Sequence, residues 1–197
     1  MARFVSSFGR AAAAAAVGAS ACWAGGGGIE AALVNGSINC GTASAITGSG
    51  THAFSTTSVM NTTDGLAHPN CDGLGSSQIE RAIWWRWRAD GDGIVTVDTC
   101  LSSLDTKLVV YAPLAPCPPT SDYVVACSDN FCGVRSSVSF VAIGGQAYLI
   151  RLGTPTTTGG SGTLRIQCVP DSICGIDADF CQDLNLGQNG QVSNSSS

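Results

Sequence analysis

The sequence has few charged residues and little positive charge. Asp, Glu, Lys and Arg make up 12% of its 197 residues, and 9 basic against 14 acidic side chains give a formal net charge of −5. No cluster of Lys and Arg interrupts this acidic balance, so a nucleic acid or an anionic membrane surface would repel the chain. We therefore expect no nucleic-acid partner.

The motifs of common hydrolases and zinc proteins are also missing. Only two histidines occur, His52 and His68, and the sequence has neither a Gly-x-Ser-x-Gly nor a His-Glu-x-x-His motif. No Cys-x-x-Cys pair is present, which argues against a zinc site. The acidic residues are spread over turn-like segments rather than paired on one strand. These absences favour a protein that is not an enzyme.

A long apolar run occurs only near the N-terminus. Residues 11–24 are small and apolar and follow a basic stretch, but they are too few and too weakly hydrophobic to span a bilayer permanently. This pattern is typical of a secretory signal, so we predict a signal peptide over residues 1–24 and a flexible linker over 25–36. Cleavage after Ala21 would leave Cys22 as the new N-terminus, and a lipid anchor there is the only membrane contact we expect. A disordered Ala-rich leader is the alternative.

The body of the chain has a strand-like pattern. Short runs of alternating polar and apolar residues are separated by Gly, Pro, Asn, Asp and Ser, with no amphipathic helix between them. In one such run Ile83, Trp85 and Trp87 share a face. The turn at 90–93, Asp-Gly-Asp-Gly, predicts a hairpin between this run and the next, at 94–97.

Regularly recurring strands without helices favour two packed sheets. We predict an all-β fold over residues 37–168, an antiparallel two-sheet β-sandwich of roughly eight strands, jelly-roll-like and stapled by disulfides. Beyond it we predict a Cys-containing extension over 169–186 and a disordered tail over 187–197, because the apolar pattern fades there.

Ten cysteines are present, which together with an export signal indicates an oxidising compartment. We therefore expect an exported protein, extracellular or at the cell surface. The expected bonds pair Cys40 with Cys71, Cys100 with Cys132, and Cys174 with Cys181. The second pair follows from the strand directions, which place both cysteines at the same end of the sandwich. Cys168 has no partner in this scheme.

Five segments resemble a known family when taken in order. They are IWWRWRADGDGIVTVDTC, LDTKLVVYAPLAPC, VVACSDNFCG, SSVSFVAIGGQAYLIRLG and GTLRIQC. The most specific parts are Leu104-Asp105-Thr106, the run from Ala126 to Asn130, and the run from Gly145 to Arg151. Over about residues 37–168 the chain resembles bacterial pre-peptidase C-terminal-type domains.

The resemblance implies a non-catalytic jelly-roll β-sandwich of the kind attached to secreted peptidases and to bacterial surface proteins. Carbohydrate or protein binding, secretion and anchoring are the roles it suggests, with calcium in some members. It also suggests a bond between Cys117 and Cys127. The chain departs from the family pattern at Ala82, where an acid is common, and at Asp129-Asn130, where two acids are usual.

Two carboxylates form the candidate metal site. Asp105 and Asp129 lie in segments that the strand directions bring to one end of the sandwich, where Asn130 and loop carbonyls would add oxygen ligands for calcium. The alternative is that these Asp side chains form turns by hydrogen bonding to their own backbone. Any calcium here would stabilise the loops rather than take part in catalysis.

Trp84 is the candidate ligand-binding residue. It lies on the face opposite Trp85 and Trp87, beside Arg86 and Arg88, where an exposed ring would stack on a sugar. Core or inter-strand packing is the alternative and is favoured for all three tryptophans.

Three functional hypotheses follow. The first is a non-catalytic secreted or cell-surface module for binding, adhesion or anchoring, whose partner is an unknown glycan or protein. The second is a calcium-dependent carbohydrate-binding domain, which requires Asp105 and Asp129 to converge near an exposed aromatic residue. The third is an accessory domain of a secreted peptidase or a cryptic hydrolase. The hydrolase requires a pocket with convergent titratable groups.

Overall fold

The fold is all-β, as the alternating pattern predicts. The computed structural model describes residues 35–60, 71 and 78–170. In these residues two short 3-10 turns, Cys40–Thr42 and Ser121–Tyr123, accompany nine strands. The strands are β1 (Ser44–Thr47), β2 (Gly50–Ser55), β3 (Glu80–Arg88), β4 (Gly93–Asp98), β5 (Lys107–Tyr111), β6 (Val124–Asp129), β7 (Ser137–Ala142), β8 (Ala147–Thr154) and β9 (Ser161–Pro170).

The strands form two packed sheets. The five-stranded sheet has the order β1-β3-β8-β5-β6, and the four-stranded sheet has the order β2-β9-β4-β7. All pairs are antiparallel except β1 with β3, which are parallel. The predicted two-sheet sandwich is therefore confirmed, with nine strands and one parallel pair at an edge.

The inner faces of the two sheets make the main core. Trp85 and Trp87 lie there together with Ile83, as the alternation of β3 predicts. The ring of Trp87 is 6.1 Å from that of Phe140 across the sandwich, and its Nε1 donates a hydrogen bond of 2.9 Å to the carbonyl of Gly48. The indole is thus buried with its polar atom satisfied, which is the usual condition for a tryptophan in a core.

The predicted hairpin at residues 90–93 is wrong. Both edges of β3 are occupied, by β1 and β8, so β4 pairs instead with β7 and β9 in the other sheet. The Asp-Gly-Asp-Gly turn therefore crosses between the sheets. It packs against the turn that joins β7 to β8, where a Cβ on Gly144 would lie 2.9 Å from the Cα of Gly91. This close approach explains why glycine is needed there.

A second cluster of buried residues covers the outer face of the five-stranded sheet. The side chains of Trp84, Val109, Tyr111 and Leu149 project from that face and pack with Ile79. Ser37 bridges to the edge of β3 through two backbone hydrogen bonds with Trp84, of 2.8 and 2.9 Å, and Cys40 in the following turn packs into the cluster on this face. The sheet is therefore buried on both sides around Trp84, which a plain two-layer sandwich does not require, whereas Arg86 and Arg88 on the same face of β3 stay exposed.

Two disulfides hold this covering in place, and they correct the predicted pairing. Cys40 is bonded to Cys117 and Cys71 to Cys127, with Cα–Cα distances of 5.6 and 5.3 Å. The expected bonds from Cys40 to Cys71 and from Cys117 to Cys127 are wrong. Cys117 and Cys127 both belong to the β5–β6 hairpin, and each is bonded to a cysteine that lies outside this hairpin and packs in the outer cluster, Cys40 or Cys71.

The structure describes only some of the remaining cysteines. The predicted bond between Cys100 and Cys132 is present, with a Cα–Cα distance of 5.8 Å. Cys168 also forms a disulfide, so the expectation that it has no partner is wrong. Cys174 and Cys181 lie outside the described residues. The three bonds between described cysteines indicate an oxidising, extracellular type of environment.

Several predictions concern parts of the chain that the structure does not describe. The signal peptide, Cys22, His68 and everything beyond residue 170 fall there, including most of the C-terminal extension and the whole tail. Within residues 35–60, 71 and 78–170, no helix has the length and apolar character needed to cross a bilayer.

Candidate functional site

Two loops meet at one end of the sandwich. The loop of residues 99–106 joins β4 to β5, and the loop of residues 130–136 joins β6 to β7. We call these two loops together the loop end. The disulfide between Cys100 and Cys132 links the two loops covalently. The bond ties the two sheets together at this end, because β4 and β7 belong to one sheet and β5 and β6 to the other.

Buried hydroxyl groups connect the loops beneath their surface. Thr99, Thr106 and Ser136 are all fully buried. The hydroxyl oxygens of Thr99 and Thr106 are 2.6 Å apart, and each accepts a hydrogen bond of 3.1 Å from the backbone N–H of Ser136. Such a network satisfies polar groups where the backbone leaves the sheets, and it restricts how far the loops can move apart.

Arg135 adds a second set of links. Its guanidinium donates to the carbonyl oxygens of Ser102 in one loop and Cys132 in the other. The backbone N–H of Thr106 donates to the carbonyl of Val134 over 3.0 Å. Ser102 is fixed in turn to β9, through its Oγ and the N–H of Thr163, 2.8 Å apart. The loop end is therefore braced by covalent and hydrogen bonds.

Three large apolar side chains on these loops face solvent. Leu101 is 66% exposed, Phe131 is 73% exposed and Val134 is 47% exposed. Each lies within two residues of Cys100 or Cys132, so the disulfide fixes their positions. Scattered apolar residues are normal on a surface, but three held on one braced structure form a candidate contact surface.

The two predicted metal ligands come together beside this surface. Asp129 ends β6 opposite Lys107, and the Lys107 Nζ lies 3.4 Å from its Oδ2. The side chains of both are almost fully buried. Burial raises the pKa of Asp105, the negative charge of Asp129 raises it further, and Lys107 lowers it. The two carboxylates are thus close enough to interact, as their placement in the sequence predicts.

Some features of this acidic pair suit a calcium ion and others do not. Oδ1 of Asp105 and both carboxylate oxygens of Asp129 are buried without hydrogen-bond partners, and such oxygens are the ligands that calcium prefers. Lys107 already neutralises Asp129, however, and the described residues hold no group of three or more His, Cys, Asp or Glu side chains around one point. Asn130 has a φ of 64°, a turn conformation that Asn tolerates. The alternative, in which these Asp side chains hydrogen-bond to their own backbone, does not hold for Asp129, because neither of its carboxylate oxygens has a hydrogen-bond partner. Calcium stays a prediction.

Trp84 does not offer a platform for a ligand. Its side chain is fully buried, stacked on Tyr111 at a centroid distance of 5.9 Å, with the guanidinium of Arg151 5.3 Å above the ring. The ligand-binding prediction for Trp84 is therefore wrong, and the packing alternative is correct. The physical reason is the extra layer of chain over the outer face, which the alternation of β3 does not reveal.

Of the two histidines in the sequence, the structure describes His52. It lies half-buried on β2, burial lowers the pKa of its imidazole, and its Nε2 has no hydrogen-bond partner. It belongs to no cluster of potential metal ligands within the described part of the chain.

Sequence reasoning missed the exposed apolar residues of the loop end. Leu101, Phe131 and Val134 interrupt polar loop segments and flank cysteines, which was the available signal. Lys107 was missed as well, because a lysine that begins a strand is usually solvated rather than paired in a buried position.

No family model, curated protein or solved structure matches this chain. The resemblance to pre-peptidase C-terminal-type domains therefore stays a prediction. The function has to be argued from the loop end itself, since a fold alone does not identify one.

Proposed function

We propose that this chain is an exported, non-catalytic β-sandwich module that binds its partner through the loop end. The observation that carries the proposal is the exposure of Leu101, Phe131 and Val134 on loops braced by the Cys100–Cys132 disulfide. A preorganised apolar surface loses little conformational entropy when it is covered, so it suits binding.

Export is supported by the covalent structure. Three disulfides between described cysteines are typical of proteins that work outside the reducing cytosol. The predicted signal peptide agrees with that compartment. Cell-surface attachment, adhesion or a partner domain on a secreted peptidase would each use the module in this way.

A non-catalytic role is supported by what the polar groups of the loop end already do. Lys107 neutralises Asp129, Arg135 holds two carbonyl oxygens, and the buried hydroxyls bond to one another and to the backbone. These groups are committed to holding the loops in place. Catalytic groups, by contrast, converge on a site where a substrate can reach them.

The test is a matched pair of surface variants. Leu101→Ala/Phe131→Ala/Val134→Ala removes the exposed apolar groups of the loop end. Leu114→Ala/Tyr123→Ala removes exposed groups from the β5–β6 loop at the opposite end, where Leu114 is 93% exposed. Each oxidised chain is titrated onto a panel of insoluble polysaccharides, intact bacterial and animal cells, and lipid vesicles.

We expect the wild-type chain to bind at least one surface and the loop-end variant to bind it at least tenfold more weakly, with the control variant unchanged. Both variants should stay folded, with melting temperatures lowered by a few degrees at most, because Leu101, Phe131 and Leu114 are largely exposed and Val134 and Tyr123 are partly exposed. Equal binding by all three chains would contradict the proposal, and so would a loss confined to the control variant.

Calcium-dependent carbohydrate binding is a second candidate. It is favoured by the carboxylate oxygens of Asp105 and Asp129 that lack hydrogen-bond partners, and by the exposed Phe131, two residues after Asp129. On this hypothesis calcium raises the melting temperature by binding the folded state, a chelator reverses the rise, and Asp105→Asn abolishes it. An unchanged melting temperature in calcium excludes this candidate and leaves the first.

A further inference from the structure

The loop end presents its apolar side chains on a surface with little free charge. Arg135 is bound to backbone carbonyls, and the side chain of Asp129 is 1% exposed and paired with Lys107. At the same end Arg165 is paired with Asp98 over 2.9 Å. The six charged side chains at this end sum to a net charge of zero: Asp98, Asp105, Asp129, Lys107, Arg135 and Arg165. The loop end therefore offers no strong electrostatic attraction to a partner of either sign.

The apolar surface is also small. A fully exposed aromatic side chain presents about 150–250 Å² and Leu and Val present less, so the exposed parts of Leu101, Phe131 and Val134 sum to roughly 300 Å². A stable protein–protein interface buries about 800 Å² on each partner. Three side chains of this size are therefore too few to hold a second folded protein by themselves.

An uncharged bilayer surface needs neither charge complementarity nor a large matching contact. Apolar side chains on a protruding loop enter the boundary between headgroups and acyl chains, and the strength of binding scales with the apolar area inserted. The net charge of −5 would oppose an anionic membrane but has little effect at a zwitterionic one. Bracing by the Cys100–Cys132 bond keeps the inserting groups together.

We propose that the loop end inserts Leu101, Phe131 and Val134 into the interface of a zwitterionic lipid bilayer and binds it reversibly. This inference rests on the proposed function, because it names the kind of surface that the same loops contact. It adds a membrane contact that is independent of any lipid on Cys22.

The test uses tryptophan as a probe of insertion. Phe131→Trp in the full oxidised chain places an indole at the loop end, and Leu114→Trp places one on the exposed loop at the other end. Both chains also carry Trp23→Phe, so their remaining native tryptophans are Trp84, Trp85 and Trp87, which are fully buried and give a constant background. Each chain is mixed with phosphatidylcholine vesicles, with and without brominated acyl chains, and its emission spectrum is recorded.

We expect a blue shift and quenching by the brominated lipid for Phe131→Trp and neither effect for Leu114→Trp. In sedimentation with the same vesicles, Leu101→Ser/Phe131→Ser/Val134→Ser should lower the partition coefficient at least tenfold. Replacing part of the phosphatidylcholine by phosphatidylglycerol should not increase the binding of the wild-type chain.

Two results would overturn the inference. The first is an unchanged spectrum for Phe131→Trp, and the second is equal quenching of both probes, which means non-specific adsorption. If the spectrum is unchanged while the alanine variant of the loop end still loses binding to a polysaccharide or to cells, the proposed function stands with a glycan or protein partner. If neither vesicles nor any other surface distinguishes the loop-end variants, the proposed function fails as well.

Discussion

Asp105 and Asp129 show how two identical residue types acquire different environments. Asp129 lies at the end of a strand directly opposite Lys107, which compensates its charge in a buried position. Asp105 lies two residues before that lysine and also experiences the negative charge of Asp129. Its pKa is raised mainly by burial and then by that repulsion. The charge on Asp105 is therefore a cost to the folded state.

The first prediction concerns the pH dependence of that cost. A carboxyl group with a raised pKa in the folded state stabilises the fold at low pH, relative to neutral pH, and that contribution is lost as the pH rises through the folded pKa. With a chelator present, Asp105→Asn should raise the melting temperature by a few degrees at pH 7. The gain should shrink as the pH falls and vanish below pH 3.8, the ordinary pKa of an aspartate side chain. Thermal unfolding between pH 2.5 and 7 measures it.

Asp122→Asn provides the control, since Asp122 is exposed in the short turn before β6, at the opposite end of the sandwich. It should change the melting temperature little at any pH. A variant Asp105→Asn that is less stable than wild type at pH 7 would show that the charged carboxylate is held favourably, for example by a cation.

At the scale of elements, the two sheets are joined at the loop end by one bond and a polar network. The Cys100–Cys132 bond closes a segment with a sequence separation of 32, and it links the loop after β4 to the loop after β6. Beneath it Thr99, Thr106 and Ser136 form hydrogen bonds across the same gap. The loops therefore have fixed positions although they contain no regular secondary structure.

The second prediction is that Cys100→Ser/Cys132→Ser loosens this end and weakens the fold. Without the cross-link the unfolded chain gains conformational entropy, which should destabilise the fold by about 3–4 kcal/mol and lower the melting temperature by roughly 10–15 °C. Hydrogen exchange should become faster at residues 99–106 and 130–136, because local opening no longer has to break a covalent bond.

Cys40→Ser/Cys117→Ser is the matched control, with a sequence separation of 77. It should also lower the melting temperature, but the faster exchange should appear over the outer face of the five-stranded sheet and not at the loop end. If both variants loosen the same amides, the bonds do not brace separate parts of the fold.

At the scale of the whole molecule, the disulfides determine how the chain wraps the sandwich. The bonds from Cys40 to Cys117 and from Cys71 to Cys127 attach segments from before β1 and before β3 to the β5–β6 hairpin. They enclose the cluster around Trp84 and Tyr111. The outer face of one sheet becomes a second core through these bonds.

The third prediction is the covalent connectivity of the native chain. Digestion of unreduced protein with pepsin, which cuts at aromatic and leucine residues, should separate Cys117 from Cys127 at Tyr123 and Cys40 from Cys71 at Phe54. Acid conditions prevent reshuffling because exchange requires a thiolate. Mass spectrometry should find Cys40 linked to Cys117 and Cys71 linked to Cys127. Peptides that link Cys40 to Cys71 would contradict the described fold.

Much of the fold could be predicted because it depends on local pattern. The alternation in β3 correctly places Trp85 and Trp87 in the core, and strand directions alone bring Cys100 near Cys132 and Asp105 near Asp129. The period-two pattern follows from the geometry of a strand, so it can be recognised in the sequence without knowing the partner strands.

The errors share one cause, which is that they depend on which strands become neighbours. The turn at residues 90–93 has the composition of a hairpin, yet β3 is already paired on both edges by β1 and β8. Trp84 alternates out of the main core, yet residues distant in sequence cover it. Exposed apolar residues on loops carry no periodic signal at all.

The sequence by itself determined the class of the molecule: a chain with disulfides, many short strands and few charges has to bury apolar residues between sheets. The tertiary structure decided which cysteines meet, that the sheet face carrying Trp84 is covered, and that the exposed Leu101, Phe131 and Val134 lie on two loops joined at one end. The physical reason is that side-chain alternation is set within a strand, whereas sheet order and the path of the connecting segments are set by contacts between residues far apart in the chain.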